Sequence, residues 1–178
     1  MYQKILKGFL AFILVMSCRG DNGVTLFEMV YPNITFDMPA GLAGNLPRAF
    51  SLDDLRTNFE AYIIENNIDT AFIDRIEPTA ATLIALDDVR FDFLSEISVR
   101  ICDAGSATCT VRDEVFYIDN LFNDRPRSEL RLLPSLINAK RQLTQRRFKL
   151  EVWFRFVGVS PSVIPIRLDM QFNAVENR

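Results

Sequence analysis

The side chains that most often carry proton-transfer or metal chemistry are scarce in this 178-residue chain. It contains no histidine, which is the commonest general base and metal ligand in proteins. A serine–lysine pair remains for nucleophilic catalysis, but beyond residue 17 the only lysines are Lys140 and Lys149, and neither completes a Ser-x-x-Lys motif. We therefore expect a protein that is not an enzyme and that holds no metal and no cofactor. A histidine-free hydrolase is the weakest alternative.

The first 18 residues combine positive charge, a short apolar segment and a cysteine. Lys4 and Lys7 precede the apolar residues 8–16, which are fewer than the roughly 20 needed to span a bilayer. Ser17 is a small residue of the kind that a cleavage site needs. The segment resembles a bacterial lipoprotein signal peptide, with Val15-Met16-Ser17-Cys18 in the place of the lipobox. The resemblance implies cleavage before Cys18, whose sulfur carries the lipid.

This resemblance divides the chain into three parts. A signal peptide spans residues 1–17, a lipidated tether spans residues 18–24, and a single domain spans residues 25–178. Arg19 stands where some bacterial lipoproteins have an aspartate as an inner-membrane retention signal. We therefore expect a domain anchored to the outer membrane of the cell envelope through acyl chains on Cys18, facing either the periplasm or the exterior.

Two further cysteines remain once Cys18 is assigned to the lipid. Cys102 and Cys109 form an even pair, and an exported protein meets an oxidising compartment. The six residues between them have the composition of a turn. We predict a disulfide between Cys102 and Cys109.

A dense group of basic residues lies in the C-terminal third of the chain, and Trp153 follows it on the polar side of a predicted strand. This candidate partner surface consists of Arg125, Arg127, Arg131, Lys140, Arg141, Arg146, Arg147, Lys149 and Trp153. The basic residues are either solvated and paired within the molecule or bind an anionic partner such as lipopolysaccharide or a phospholipid head group. Trp153 either stacks on Arg155, covers a neighbouring strand, or contacts an envelope protein or glycan. Nucleic acid is not expected as a partner of an envelope protein.

The charge is unevenly divided along the chain. Residues 18–124 contain 7 Lys and Arg and 19 Asp and Glu, a net charge of −12. Residues 125–178 contain 11 Lys and Arg and 4 Asp and Glu, a net charge of +7. Opposite charges on neighbouring strands stabilise a sheet modestly. We therefore expect basic residues of the second part of the chain to pair with acidic residues of the first part.

Two short motifs bear on modification and on metal binding. Asp69-Thr70-Ala71 resembles the acceptor for O-glycosylation in one phylum of Gram-negative bacteria, which makes Thr70 a candidate modification site. Asp87, Asp88 and Asp92 lack the alternating ligands and the glycine of a calcium loop, so we expect a solvated acidic turn.

Alternation of apolar and polar residues predicts mostly strands. They are expected at residues 26–31, 34–38, 76–86, 91–101, 109–118, 148–156 and 164–174. Helical spacing of apolar residues predicts one helix over residues 51–63 and a short one over residues 132–143.

About seven strands with one apolar face predict two packed sheets, specifically an immunoglobulin-like β-sandwich with one or two short helices. A barrel closing around a lipid is the structural alternative. The expected function is a non-enzymatic binding or structural module at the envelope, with a carrier of lipid or another hydrophobic ligand as the alternative.

Overall fold

The computed structural model describes residues 23–44, 46–119, 121 and 127–176, which contain eight strands and two α-helices. The mainly β class with two short helices is therefore confirmed. The strands are β1 Val24–Met38, β2 Arg48–Arg56, β3 Arg75–Ala85, β4 Leu94–Asp103, β5 Glu114–Ile118, β6 Glu129–Pro134, β7 Arg147–Phe156 and β8 Ile164–Glu176. The helices are α1 Phe59–Asn66 and α2 Lys140–Leu143, and 3-10 turns span Thr70–Phe72 and Val111–Asp113.

All strand pairs are antiparallel, and the strands form one curled sheet in the order β1-β8-β3-β6-β5-β4-β7-β2. Only two residue pairs, Phe116 with Pro134 and Tyr117 with Leu133, join β5 to β6. They connect a first half (β1, β8, β3, β6) to a second half (β5, β4, β7, β2). This order differs from the predicted immunoglobulin arrangement, in which the first strand lies beside the second. Here β1 lies beside β8, and there are eight strands rather than about seven.

Aromatic side chains fill the space that the curled sheet encloses. The ring of Tyr31 on β1 lies 5.5 Å from that of Phe148 on β7. The ring of Phe116 on β5 lies 5.4 Å from that of Phe172 on β8. Both contacts join one half of the sheet to the other, so the two halves share one core.

The predicted helix over residues 51–63 is wrong in its first half. Residues 48–56 form β2, and the helix begins only at Phe59. Leu52 and Leu55 pair with Leu150 and Phe148, so three steps along β2 match two steps along β7. This is a β-bulge, in which one extra residue shifts the alternation. The bulge therefore gives the strand the i, i+3 spacing that resembles a helix.

The predicted helix over residues 132–143 is also mostly wrong. Leu130 and Leu132 are buried in β6, where they pair with Leu83 and Ala81 of β3. Only residues 140–143 are α-helical. The side chain of Asn138 accepts hydrogen bonds from the backbone N–H groups of Ile76 and Lys140, which fixes where the short helix begins.

The other strand predictions agree with the structure, with shifted ends. The first two predicted strands form the single strand β1, which is irregular between Tyr31 and Ile34. The predicted hairpin between residues 91–101 and 109–118 corresponds to β4 paired with β5.

Candidate functional site

The disulfide between Cys102 and Cys109 is confirmed. Their Cα atoms are 5.5 Å apart, a normal separation for a disulfide. Cys102 lies near the end of β4 opposite Lys149 of β7. The bond closes the loop of residues 103–108 beside that lysine.

Lys149 lies at the centre of a buried network of charged groups. Its Nζ donates to the carbonyl oxygens of Ser106 at 3.1 Å and Ala107 at 2.8 Å. It lies 3.2 Å from Oε1 of Glu151 and 3.6 Å from Oδ1 of Asp53. The side chains of Lys149 and Glu151 are only 8% and 1% exposed. The prediction that Lys149 belongs to a partner surface is therefore corrected, because its charge is enclosed and used within the fold.

Trp153 extends the same network toward the surface. Its Nε1 donates to Oε2 of Glu151 at 3.0 Å. The guanidinium carbon of Arg100 lies 4.7 Å from the centre of the indole ring, which is cation–π geometry. Arg100 also donates from Nε to the hydroxyl of Ser98 at 3.0 Å. Trp153 is thus held by its neighbours on β4 and β7 and is only partly exposed.

A small pocket of about 110 Å³ lies beside Trp153. Its charged lining consists of Glu96, Arg100, Glu114, Asp119 and Arg155. Arg155 donates from Nε to Glu96 at 2.7 Å, and Glu114 accepts from the Ser98 hydroxyl. Opposite charges therefore face each other here, and with three carboxylates against two guanidinium groups the pocket has no excess of positive charge for an anionic ligand.

A larger surface groove of about 310 Å³ lies where β2 ends and β7 begins, and we call it the arginine groove. It is lined by Arg56, Thr57, Asn58, Phe59, Glu60, Thr144, Gln145, Arg146 and Arg147. The backbone N–H of Thr57 donates to the carbonyl of Arg146 at 3.2 Å, and the Thr57 hydroxyl donates to the carbonyl of Gln145. These bonds hold the two sides of the groove together.

The cations of the groove exceed its anions. Arg56 and Arg147 are partners across β2 and β7, so two positive side chains start from neighbouring positions. Arg147 lies 3.3 Å from Asp54, and Arg146 lies 3.7 Å from Glu60. Among the described residues Arg56 makes no ion pair. Three guanidinium groups against two carboxylates leave a net positive charge.

The ion pairs in the groove are weak ones. The side chains of Arg146 and Glu60 are 90% and 77% exposed. Exposed pairs of this kind contribute roughly 0–1 kcal/mol, because water and salt screen them. An incoming anion can therefore compete for these arginines at little cost.

The remaining predicted residues are dispersed. Arg141 lies 3.1 Å from Asp103, and Lys140 donates from Nζ to the carbonyl of Ile73. Arg127 and Arg131 are exposed at and near β6, and neither lines the groove. Cys18 and Arg125 lie outside the described residues. Of the predicted surface, the structure brings together only Arg146 and Arg147 in the groove, with Arg56 added.

Sequence reasoning missed Arg56 because it fell within the predicted helix over residues 51–63. The signal that would have found it is the pairing of β2 with β7, which places Arg56 opposite Arg147. That pairing joins residues 91 positions apart in the chain, so no local pattern reveals it.

The hydroxyl of Tyr31 supports the groove from inside the core. It donates to the carbonyl of Thr57 at 2.8 Å, and the side chain is buried. Burial raises the pKa of Tyr31 well above its ordinary value, and the nearby Tyr62 acts in the same direction. The phenol is therefore held in its neutral, donating form.

The predicted modification site lies at the surface. Thr70 is exposed in its 3-10 turn, where the carboxylate of Asp69 accepts from the N–H of Ala71 at 2.9 Å.

Among the described residues there is no cluster of three or more side chains able to hold a metal ion. None of the helices in this part of the chain is long and apolar enough to cross a membrane.

No family model and no curated protein match the sequence. A solved structure of Desmodium yellow mottle tymovirus is similar over 85% of this chain and 89% of that chain, with 11% identity and a TM-score of 0.32. One of Cocksfoot mottle virus is similar over 91% of each chain, with 12% identity and a TM-score of 0.26. Likeness at such TM-scores defines neither the fold nor the function of this chain.

Proposed function

We propose that this protein is a lipoprotein of the bacterial cell envelope whose β domain is a non-enzymatic binding module. The acyl chains on Cys18 anchor it to the outer membrane, and the domain presents a surface to an envelope partner. The position of the first strand supports this proposal. Strand β1 begins at Val24, six residues after Cys18, so the tether is short and keeps the domain close to the membrane.

The same proposal includes a specific packing of the two halves of the sheet. The two halves of the sheet pack face to face as a β-sandwich, and aromatic rings meet between them. Eight strands in the order β1-β8-β3-β6 against β5-β4-β7-β2 fit a double-sheet jelly roll better than an immunoglobulin-like domain. Sandwiches of this kind commonly serve as binding scaffolds with their sites at surface loops and grooves.

The filled interior is the observation that favours a binding module over a carrier of hydrophobic ligands. Phe116, Phe148, Phe154 and Phe172 are fully buried in the space where a carrier would hold its ligand. The arginine groove, in contrast, is lined mostly by charged and polar side chains and lies at the surface. Recognition at the surface is therefore the better-supported function.

Replacing the anchoring cysteine tests the proposal. Cys18→Ser, expressed in a Gram-negative bacterium, should lose incorporation of a labelled fatty acid and keep residues 1–17, because the lipid is attached at that sulfur. Cys102→Ser is the matched control and should retain the label. Equal labelling of Cys18→Ser and the unsubstituted chain would overturn the proposal.

A further inference from the structure

We infer that the arginine groove docks on the anionic phosphate head groups of the membrane that carries the lipid anchor. This inference rests on the proposed function, since it names the surface that the anchored domain contacts. The groove's residues are Arg56, Arg146 and Arg147, with Thr57 to Glu60 and Thr144 to Gln145 between them.

The first support is the position of the groove relative to the tether. Helix α1, whose first residues line the groove, packs on the beginning of β1. The ring of Phe59 lies 6.4 Å from that of Phe27, and the Tyr62 hydroxyl donates to the carbonyl of Val30 at 3.0 Å. The groove therefore lies toward the end of the domain at which the tether enters.

The length of chain before the first strand gives the second support. Phe27 is four residues along β1 from Gly23, which is about 13 Å at 3.3 Å per residue. Gly23 is five residue steps along the chain from Cys18, and five steps reach at most about 18 Å when fully extended. An anchored domain thus keeps this end, and the arginines on it, within reach of the head groups.

Charge and hydrogen bonding give the third support. A guanidinium group presents planar, paired N–H donors that match phosphate oxygens. The two carboxylates that pair with the groove's arginines, Asp54 and Glu60, are both exposed and only weakly paired. A bilayer rich in anionic lipid contributes attraction to each basic residue near its surface, and that attraction corresponds to about a fivefold change in binding per residue.

Amide hydrogen exchange on the lipidated full-length protein in vesicles tests the inference. Vesicles of phosphatidylcholine alone are compared with vesicles that also contain phosphatidylglycerol, so that only the head-group charge differs. We expect exchange in residues 56–60 and 144–147 to slow by at least about fivefold with phosphatidylglycerol. High salt should reverse the effect because it screens the charges.

Two double variants separate the groove from general charge. R56Q/R146Q should lose the slowing, whereas R48Q/R131Q removes the same charge from exposed positions outside the groove and should keep it. Equal behaviour of the two variants, or no dependence on phosphatidylglycerol, would overturn the inference. So would equal slowing by inorganic phosphate in neutral vesicles, because the groove would then take a free anion rather than the lipid surface.

Flotation of the same samples distinguishes this inference from the proposed function. Flotation with both kinds of vesicle but without groove protection overturns only the docking. Flotation with phosphatidylglycerol vesicles alone overturns the lipid anchor and leaves the groove as the membrane contact. Flotation with neither kind of vesicle overturns both the lipid anchor and the docking of the groove.

Discussion

The phenol of Tyr31 links the protonation of one residue to the stability of the whole domain. Its hydroxyl donates to the carbonyl of Thr57, and burial raises its pKa. Above about pH 10 the phenol ionises in the unfolded chain but stays protonated in the folded one. The unfolded state then binds fewer protons, so this group's contribution to the free energy of unfolding falls as pH rises.

Tyr31→Phe should therefore change how stability depends on pH. Below pH 9 the variant should be less stable by about 1–3 kcal/mol, because the Thr57 carbonyl loses its donor. Above pH 10 the gap to the unsubstituted chain should narrow by about 1.4 kcal/mol per pH unit. Urea unfolding from pH 7 to pH 11 measures this, with Tyr117→Phe as the control for loss of a phenol elsewhere in the sheet. A gap that stays constant up to pH 11 would contradict the assignment.

The charged residues show which features of a site a sequence reveals. The density of basic residues after residue 125 is visible in the chain, but burial is not. Lys149 and Arg147 share one strand and one side of it, yet the first is enclosed by carbonyls and carboxylates while the second is exposed in the groove. The difference arises from the disulfide loop and the bulge of β2, which cover Lys149 and leave Arg147 open.

At the scale of elements, regular alternation of apolar and polar residues predicts strands well, whereas a β-bulge interrupts the alternation and gives a strand the spacing of a helix. Strands β7 and β8 alternate without interruption and lie close to their predicted bounds. In strand β2 two residues, Asp53 and Asp54, occupy the place of one in the regular alternation, and Asp54 has a φ of 61°. A bulge is stabilised by its partner strand, here through Asp53 with Lys149 and Asp54 with Arg147. Because the partner lies far along the chain, local spacing could not predict the bulge.

The Cys102–Cys109 disulfide is the covalent element that organises one end of the sheet. Closing so short a loop should contribute about 2.5 kcal/mol by the chain-entropy estimate. We expect Cys102→Ala/Cys109→Ala to melt roughly 5–10 °C lower than the oxidised protein. The loop also supplies the carbonyls of Ser106 and Ala107 to Lys149, so a larger loss would indicate that the ammonium group has lost these partners.

Thermal melts followed by circular dichroism, with and without reductant, measure the effect of the disulfide. Reductant should lower the melting temperature of the unsubstituted chain and leave that of the double alanine variant unchanged. Equal melting of the unsubstituted chain in both conditions would show that the bond contributes nothing.

For the whole molecule, part of the uneven charge is paired within the domain. At least five ion pairs join a basic residue after position 125 to an acidic residue before position 124. They are Arg141–Asp103, Arg146–Glu60, Arg147–Asp54, Lys149–Asp53 and Arg155–Glu96. Four of these lie at the end of the domain that carries the groove, and two of them, Arg146–Glu60 and Arg147–Asp54, occupy the groove's own arginines.

The two halves of the sheet should unfold as one unit, because core packing joins them more extensively than hydrogen bonds do. Only two residue pairs connect β5 to β6, whereas inside the core ring contacts cross between the halves at several places. They are Phe116–Phe172, Tyr31–Phe148, Phe36–Phe50 and Phe36–Phe154. Phe172→Ala should lower the free energy of unfolding by about 3–5 kcal/mol, since it removes a fully buried ring and leaves a cavity.

Trp153 is the only tryptophan and lies in the second half, while Phe172 lies in the first. If the shared core makes the halves cooperative, Trp153 fluorescence and far-ultraviolet circular dichroism should give the same urea midpoint in the unsubstituted chain. In Phe172→Ala both midpoints should fall together, because the lost ring supports strands on each side of the core. Val163→Ala, an exposed residue, is the control and should shift neither. A tryptophan transition that stays in place while circular dichroism shifts would show that the second half is stable without the first.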